Sequence, residues 1–163
     1  MSASRSSNGL AESLAYVWLT SALDEPALGK LADLGQIVDV APSEAILREG
    51  ELNDTLAIVL EGRVALRVRV PERGQVTILT VEPGDVVGWS AIVPPYRATS
   101  SAVALSPSRL ARFEGPALRQ ALIDDEHLAT QFYPVLLAAV ARRLDGTRLQ
   151  LLDLFSQRWT EPW

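Results

Sequence analysis

The stretch from Gly35 to about Glu114 constrains this chain most, because short apolar or alternating runs there are cut repeatedly by Gly, Pro, Asn and Asp. The runs are 37–40, 45–47, 56–60, 64–70, 76–81, 86–87, 99–104 and 110–113. None is separated from the next by the long helical segment that a parallel crossover needs, so the pattern predicts an antiparallel sandwich or jelly roll. Residues 64–70 and 76–81, joined by a polar Pro-Glu-Arg-Gly segment, read as a hairpin.

Helical periodicity brackets this region. Leu10, Leu14, Val17 and Trp18 fall on one face, and Ala22, Leu23, Ala27, Leu28, Leu31 and Leu34 continue a second amphipathic stretch that Gly35 can close. Residues 1–9, rich in serine, read as a tail without structure. After Gly115 the helical period returns and holds to about Phe155. Pro134 predicts a break or kink, with the long helix running from about 134 to 157. Along it Leu137, Val140, Leu144, Thr147, Leu151 and Leu154 are spaced 3, 4, 3, 4, 3, a heptad seam. A second apolar set, Val135, Leu136, Ala139, Leu152 and Phe155, is available to cover the β unit. Two apolar faces need two partners: the chain's own sheet and, most simply, the same helix of a second chain in a parallel homodimer. The alternative is one helix packed within its own core.

Composition removes several function classes. The 163 residues form one domain's worth of chain, 48% hydrophobic and 21% charged, which is globular. With no cysteine there is no disulfide, thiolate zinc site, iron–sulfur cluster or cysteine nucleophile. His127 is the sole histidine, and the net charge of −5 argues against binding nucleic acid by phosphate neutralisation. No 18-residue apolar run and no apolar signal core appear, so the expectation is a cytoplasmic protein without membrane association. Asp124, Asp125 and Glu126 read as a helix N-terminal cap cluster rather than catalytic acids. No catalytic constellation stands out, so an enzyme is not expected.

The chemistry concentrates in residues 83–99. Two glycines, a run of small and apolar residues, Pro94-Pro95 and then Arg97 follow a strand pattern. Such a turn can present successive backbone N–H groups to an anion, with arginine supplying a charge-assisted contact. It can equally be a structural loop with a solvated Arg97.

Asp54-Thr-Leu-Ala-Ile-Val-Leu-Glu-Gly-Arg-Val64, then Leu79-Thr-Val-Glu-Pro-Gly-Asp-Val-Val-Gly88 and Arg97-Ala-Thr99, resemble the cyclic-nucleotide-binding domain of the catabolite-activator and fumarate-nitrate-regulator superfamily. Ala141-Arg-Arg-Leu144 with Thr147 is similar to that superfamily's dimerisation helix. The resemblance covers about residues 25–157 and implies one domain over 10–157: an eight-stranded β-roll at about 36–114, helices at each end, and a long dimer helix. It implies cAMP or cGMP as the ligand, no required cofactor and no metal. Gly88, Arg97 and Ala98 match the phosphate-binding cassette, whose arginine holds the cyclic phosphate; Ser90, Ala91 and Thr99 lie alongside. Trp89 stands where the cassette's glutamate would accept the ribose hydroxyl, and the stretch to Arg97 is shorter and stiffer than usual. Arg143 matches an arginine that pairs with that glutamate, and a cation–π contact to Trp89 is a substitute. Thr147 resembles a threonine that touches the base across the dimer; register control of the seam explains it equally well.

Two readings remain open: a ligand-sensing regulatory module that signals through its dimer helix to a separate protein partner, and a ligand-free dimeric interaction scaffold whose pocket Trp89, the prolines and Tyr96 have filled. The superfamily's DNA-binding members carry a further domain after the long helix, so direct operator binding is not expected. Trp159 and Trp163, in 158–163, are offered to a partner or fold back onto the domain.

Overall fold

The computed structural model describes residues 2–158, and every strand anticipated above is present in it within about two residues. In chain order the elements are α1 (Ser2–Tyr16), α2 (Glu25–Leu34), β1 (Gly35–Val40), β2 (Ala45–Leu47), β3 (Thr55–Glu61), β4 (Val64–Val70), β5 (Gly74–Val81) and β6 (Val86–Val87). A 3-10 turn (Trp89–Ala91), β7 (Ser101–Ala104), β8 (Ser108–Glu114), α3 (Gly115–Asp124) and α4 (Glu126–Arg158) follow. The strands form two antiparallel four-stranded sheets, ordered β1-β8-β3-β6 and β2-β7-β4-β5. β4 and β5 make the expected hairpin, from Val64 opposite Val81 to Val70 opposite Gly74.

The core has two compartments, and β3 and β8 divide them. Leu56, Ile58, Ala111 and Phe113 face the helices, where they meet Leu14, Leu31, Leu118, Leu128 and Phe132. Ala57, Val59 and Leu110 face the second sheet and pack on Val64, Leu66 and Val81. A strand covered on both faces has no polar side to keep, which explains why 56–60 is unbroken in its apolarity.

Gly35 ends α2, but by extended backbone (φ −111°) rather than a left-handed cap. Glycine is needed there for closeness: a Cβ would lie 2.5 Å from the Phe113 ring and 2.8 Å from Leu10. Asp24 opens α2 by accepting the Ala27 N–H at 2.9 Å. His127 Nε2 sits 2.8 Å from Asp24 Oδ2, so the sole histidine joins α4 to that cap. Asp125 caps α4 through the Leu128 N–H at 3.0 Å and holds Lys30 at 2.5 Å, the structural role expected of the acidic cluster.

Three expectations need correction. Residues 2–9 are not a structureless tail, because α1 begins at Ser2. The long helix starts at Glu126 instead of about 134 and runs through Pro134. Pro134 is exposed while Phe132, Val135 and Leu136 bury themselves on either side of it, so core anchoring outweighs the single missing backbone hydrogen bond. Leu152, assigned to the face covering the β unit, is 64% exposed. The side chains of Leu154 and Phe155, and residues 159–163 with both terminal tryptophans, lie outside the described residues.

Candidate functional site

The site region begins at the turn before β6. Glu82 and Asp85 close it reciprocally, the Asp85 N–H donating to the Glu82 carbonyl at 2.9 Å and the Glu82 N–H to Asp85 Oδ2 at 3.0 Å. Gly84 between them has φ +92° and sits so close to the Trp18 indole that a Cβ would lie 2.2 Å from the ring. The chain then enters the 3-10 turn through Gly88, whose φ of +78° and approach to the Thr55 carbonyl leave no space for a Cβ.

Asn53, buried at the entrance to β3, is the hub of this region. Its Nδ2 donates to the Gly88 carbonyl and to Ser90 Oγ, both at 3.0 Å, and its Oδ1 accepts the Thr55 N–H at 3.0 Å. Its own N–H donates to the Tyr96 carbonyl at 2.7 Å. One buried amide thus ties both ends of the cassette to β3. Arg119 of α3 clamps the same segment from the other side, with Nη1 2.5 Å from the Ala91 carbonyl and its guanidinium carbon 4.2 Å from the Tyr96 ring centre. Sequence reasoning passed over both residues. A polar residue two positions before an apolar strand was the available signal for Asn53; Arg119 carried none, since its partners are a backbone carbonyl and a ring distant in sequence.

The anticipated ligand residues are only partly brought together. Gly88, Trp89, Ser90, Ala98, Thr99 and Arg143 line one small cavity of about 10 Å³, room for a single water. Arg97 is not among its walls. It is exposed, pairs by its backbone with Leu52 and donates from Nη1 to the Gly50 carbonyl at 2.9 Å. The Ala91 N–H is already taken by the Gly88 carbonyl at 3.0 Å. Trp89 is half-buried and packs against the helix-side core.

Arg143 meets the cavity from α4. Its Nη2 donates to the Val86 carbonyl, and burial lowers the pKa of its guanidinium while Asp85 acts in the opposite sense. The expected Arg143–Trp89 stacking is not formed: among the described residues the arginines lying over rings are Arg119, on Tyr96, and Arg142, 4.8 Å from the Trp18 ring centre. Direct donation to a carbonyl satisfies Arg143 better than a ring face would. Thr147 Oγ1 donates to the Arg143 carbonyl one turn back, at 2.9 Å.

Of the seam, Leu137, Leu144 and Leu151 are 69%, 55% and 51% exposed, with Val140 and Thr147 half-buried. α4 therefore carries an uncovered apolar stripe on the face the heptad marks. Among the described residues no helix is long and apolar enough to cross a membrane, and no group of His, Cys, Asp and Glu could hold a metal ion.

A β-roll of two four-stranded sheets, a glycine-led cassette turn after β6 and a long terminal helix define a cyclic-nucleotide-binding-type fold. Residues 37–125 match the cyclic nucleotide-binding domain family, and the chain belongs to it. It is 32% identical over 144 residues, 88% of this chain, to a CRP-like cAMP-activated global transcriptional regulator of Mycobacterium tuberculosis, and spans 62% of that relative's length. Among solved structures, the N-terminal domain of a Streptomyces coelicolor transcriptional regulator is 28% identical at a TM-score of 0.64, covering 85% of this chain and 94% of that one. A cyclic nucleotide-binding domain from Methylobacillus flagellatus superposes at a TM-score of 0.77, with 22% identity, over 90% of this chain and 83% of the other. That last likeness is one of fold.

Proposed function

We propose that this chain is a ligand-sensing regulatory module. It takes cAMP, cGMP or another small anion at the cassette and signals through a homodimer built along α4. The observation that carries this reading is the cassette itself: an arginine followed by a buried small residue, Arg97-Ala98, fixed to the roll by Asn53 and by the bridge to Leu52. Among the described residues the Arg97 guanidinium donates to the exposed Gly50 carbonyl, so an anion can exchange for that contact at small cost. The cAMP-activated Mycobacterium relative supports the ligand class. Ligand at the cassette reaches α4 through Val86 and Arg143, and the shift requires that it favour one arrangement of α4 over another. A separate protein partner reads the helix.

A second reading has its own support. With about 10 Å³ beside Gly88 and an indole at the position of the ribose-binding glutamate, the site as it stands is closed, which fits a ligand-free dimeric scaffold. Isothermal titration calorimetry with cAMP and cGMP separates the two. Saturable micromolar binding that Arg97→Ala abolishes supports the sensor; silence from a folded dimer supports the scaffold.

A further inference from the structure

Three separate parts of the chain meet at Arg142. Its guanidinium carbon lies 4.8 Å from the Trp18 ring centre, and its Nε stands 3.9 Å from Asp85 Oδ1. Trp18 belongs to the α1–α2 connection, Asp85 to the turn before β6 and Arg142 to α4. The corner that carries Trp18 is firmly held. The buried Thr20 hydroxyl donates to the Leu14 carbonyl, the Ser21 N–H to the Val17 carbonyl at 3.0 Å and the Ser21 hydroxyl to the Trp18 carbonyl at 2.9 Å. Leu19 and Leu23 lie in the core, and the indole packs so closely on Gly84 that no side chain fits between them. Trp18 is therefore a fixed post. Arg142 is the member of the pair that solvent reaches, its side chain being 64% exposed.

Position along α4 gives this contact leverage. Before it, Leu128, Phe132, Val135 and Leu136 are buried, so the start of the helix belongs to the core. After it, residues 148–153 are exposed. Arg142 and Arg143 stand at the change, one on Trp18 and Asp85, the other on the Val86 carbonyl. At 1.5 Å per residue the helix extends about 15 Å from residue 143 to residue 153. A small tilt at the arginines is magnified over the segment that carries Leu144 and Leu151. An exposed cation–π contact is worth about two- to fivefold in an equilibrium constant, and a long surface ion pair adds little. That is small enough for a ligand's differential affinity to overcome and large enough to bias α4 in its absence.

We propose that the Trp18–Arg142 contact is a latch: it holds α4 in the arrangement of this structure, and ligand at the cassette must release it to shift the helix. The latch rests on the sensor reading for its ligand and adds to that reading the pair of residues that opposes the ligand. While it is closed, the arrangement that the ligand prefers is only fractionally populated, and the apparent affinity is reduced by that fraction. Weakening the latch therefore tightens binding. Loss of a contact that merely supports the fold leaves affinity unchanged or lowers it, and loss of a positive charge by itself weakens the hold on an anion.

Hydrogen exchange followed by mass spectrometry on the full chain reads the latch without ligand. Amides of residues 143–153 should exchange about two- to fivefold faster in Arg142→Gln and in Trp18→Leu, and no faster in the double variant than in either single one. Calorimetry on the same proteins should show cAMP binding about two- to fivefold more tightly to each single variant than to the wild type. Arg142→Lys, which keeps a cation beside the ring, should fall between wild type and Arg142→Gln in both measurements. Should Trp18→Leu fail to fold, this lysine and glutamine pair carries the comparison. Exchange that is unchanged, effects that add in the double variant, or a lysine variant equal to glutamine overturns the latch. So does faster exchange in a chain whose cAMP affinity stays the same or falls. If none of these proteins binds cAMP or cGMP, the sensor reading falls, and exchange alone decides whether Trp18 and Arg142 pin α4.

Discussion

Arg119 and Tyr96 form a stack that ties α3 to the cassette: the guanidinium carbon lies 4.2 Å from the ring centre while Nη1 holds the Ala91 carbonyl. The two contacts act on opposite ends of the segment 91–96, so Arg119 fastens α3 to the cassette at two points. Arg119→Ala removes a cation–π contact of about 0.5–2 kcal/mol and a charge-assisted hydrogen bond of about 1.5–3 kcal/mol. Because Arg119 is only half-buried, the expected loss in denaturant unfolding is about 1–3 kcal/mol. A Tyr96→Ala, Arg119→Ala double-mutant cycle should show coupling of about 0.5 kcal/mol or more; strict additivity would mean the stack carries no energy.

The apolar stripe of α4 leads to a solution experiment. Leu144 and Leu151 are about half exposed in the single chain, so aspartate at either position disturbs little within one protomer. In a parallel homodimer the same change places two carboxylates in an apolar seam, where desolvation without pairing costs several kcal/mol. Light scattering should therefore give twice the chain mass for the wild type and the chain mass for Leu144→Asp and Leu151→Asp, with unchanged circular dichroism. A dimer that persists in Leu151→Asp rules out the seam.

Acid should loosen the helices before the roll. Asp24 is held below its ordinary pKa of 3.8 first by the Ala27 N–H and then by His127. Asp125 is held below the same value first by Lys30 and then by the Leu128 N–H. A carboxyl whose folded pKa is depressed contributes stability that is fully present above the unfolded value and is lost as pH falls through the folded one. Stability should thus fall below about pH 4, and the acid limb should flatten in Asp24→Asn and Asp125→Asn. An unaltered limb in both variants would place the acid sensitivity elsewhere.

The fold was more legible than the site, for a physical reason visible at particular residues. Strand periodicity and turn chemistry are local, so 45–47, 64–70 and 86–87 could be bounded to the residue. The helix through Pro134 could not, because Phe132, Val135 and Leu136 hold it by contacts to distant strands and helices that no local rule records. At the cassette the sequence named the segment and its arginine. It did not show that Arg97 rests on the Gly50 carbonyl, that Arg143 turns to Val86 and away from Trp89, or that Asn53 holds both ends. Each depends on where a side chain finds its nearest acceptor across the fold.

Trp89 offers the sharpest test of the sensor reading. On that reading it stands where a carboxylate would accept a ribose hydroxyl, and it lines the small cavity together with Arg143. Trp89→Glu removes a half-buried indole, enlarges that cavity and supplies the acceptor, with Arg143 at hand to pair with the new charge. A charge-assisted hydrogen bond of roughly 1.5–3 kcal/mol corresponds to a ten- to hundredfold gain in affinity. Calorimetry should then show cAMP binding about ten to a hundred times more tightly to Trp89→Glu than to the wild type, and the gain should disappear when Arg97→Ala is added. If the folded variant binds no better than the wild type, the cassette does not receive a ribose in this orientation, and the scaffold reading takes precedence.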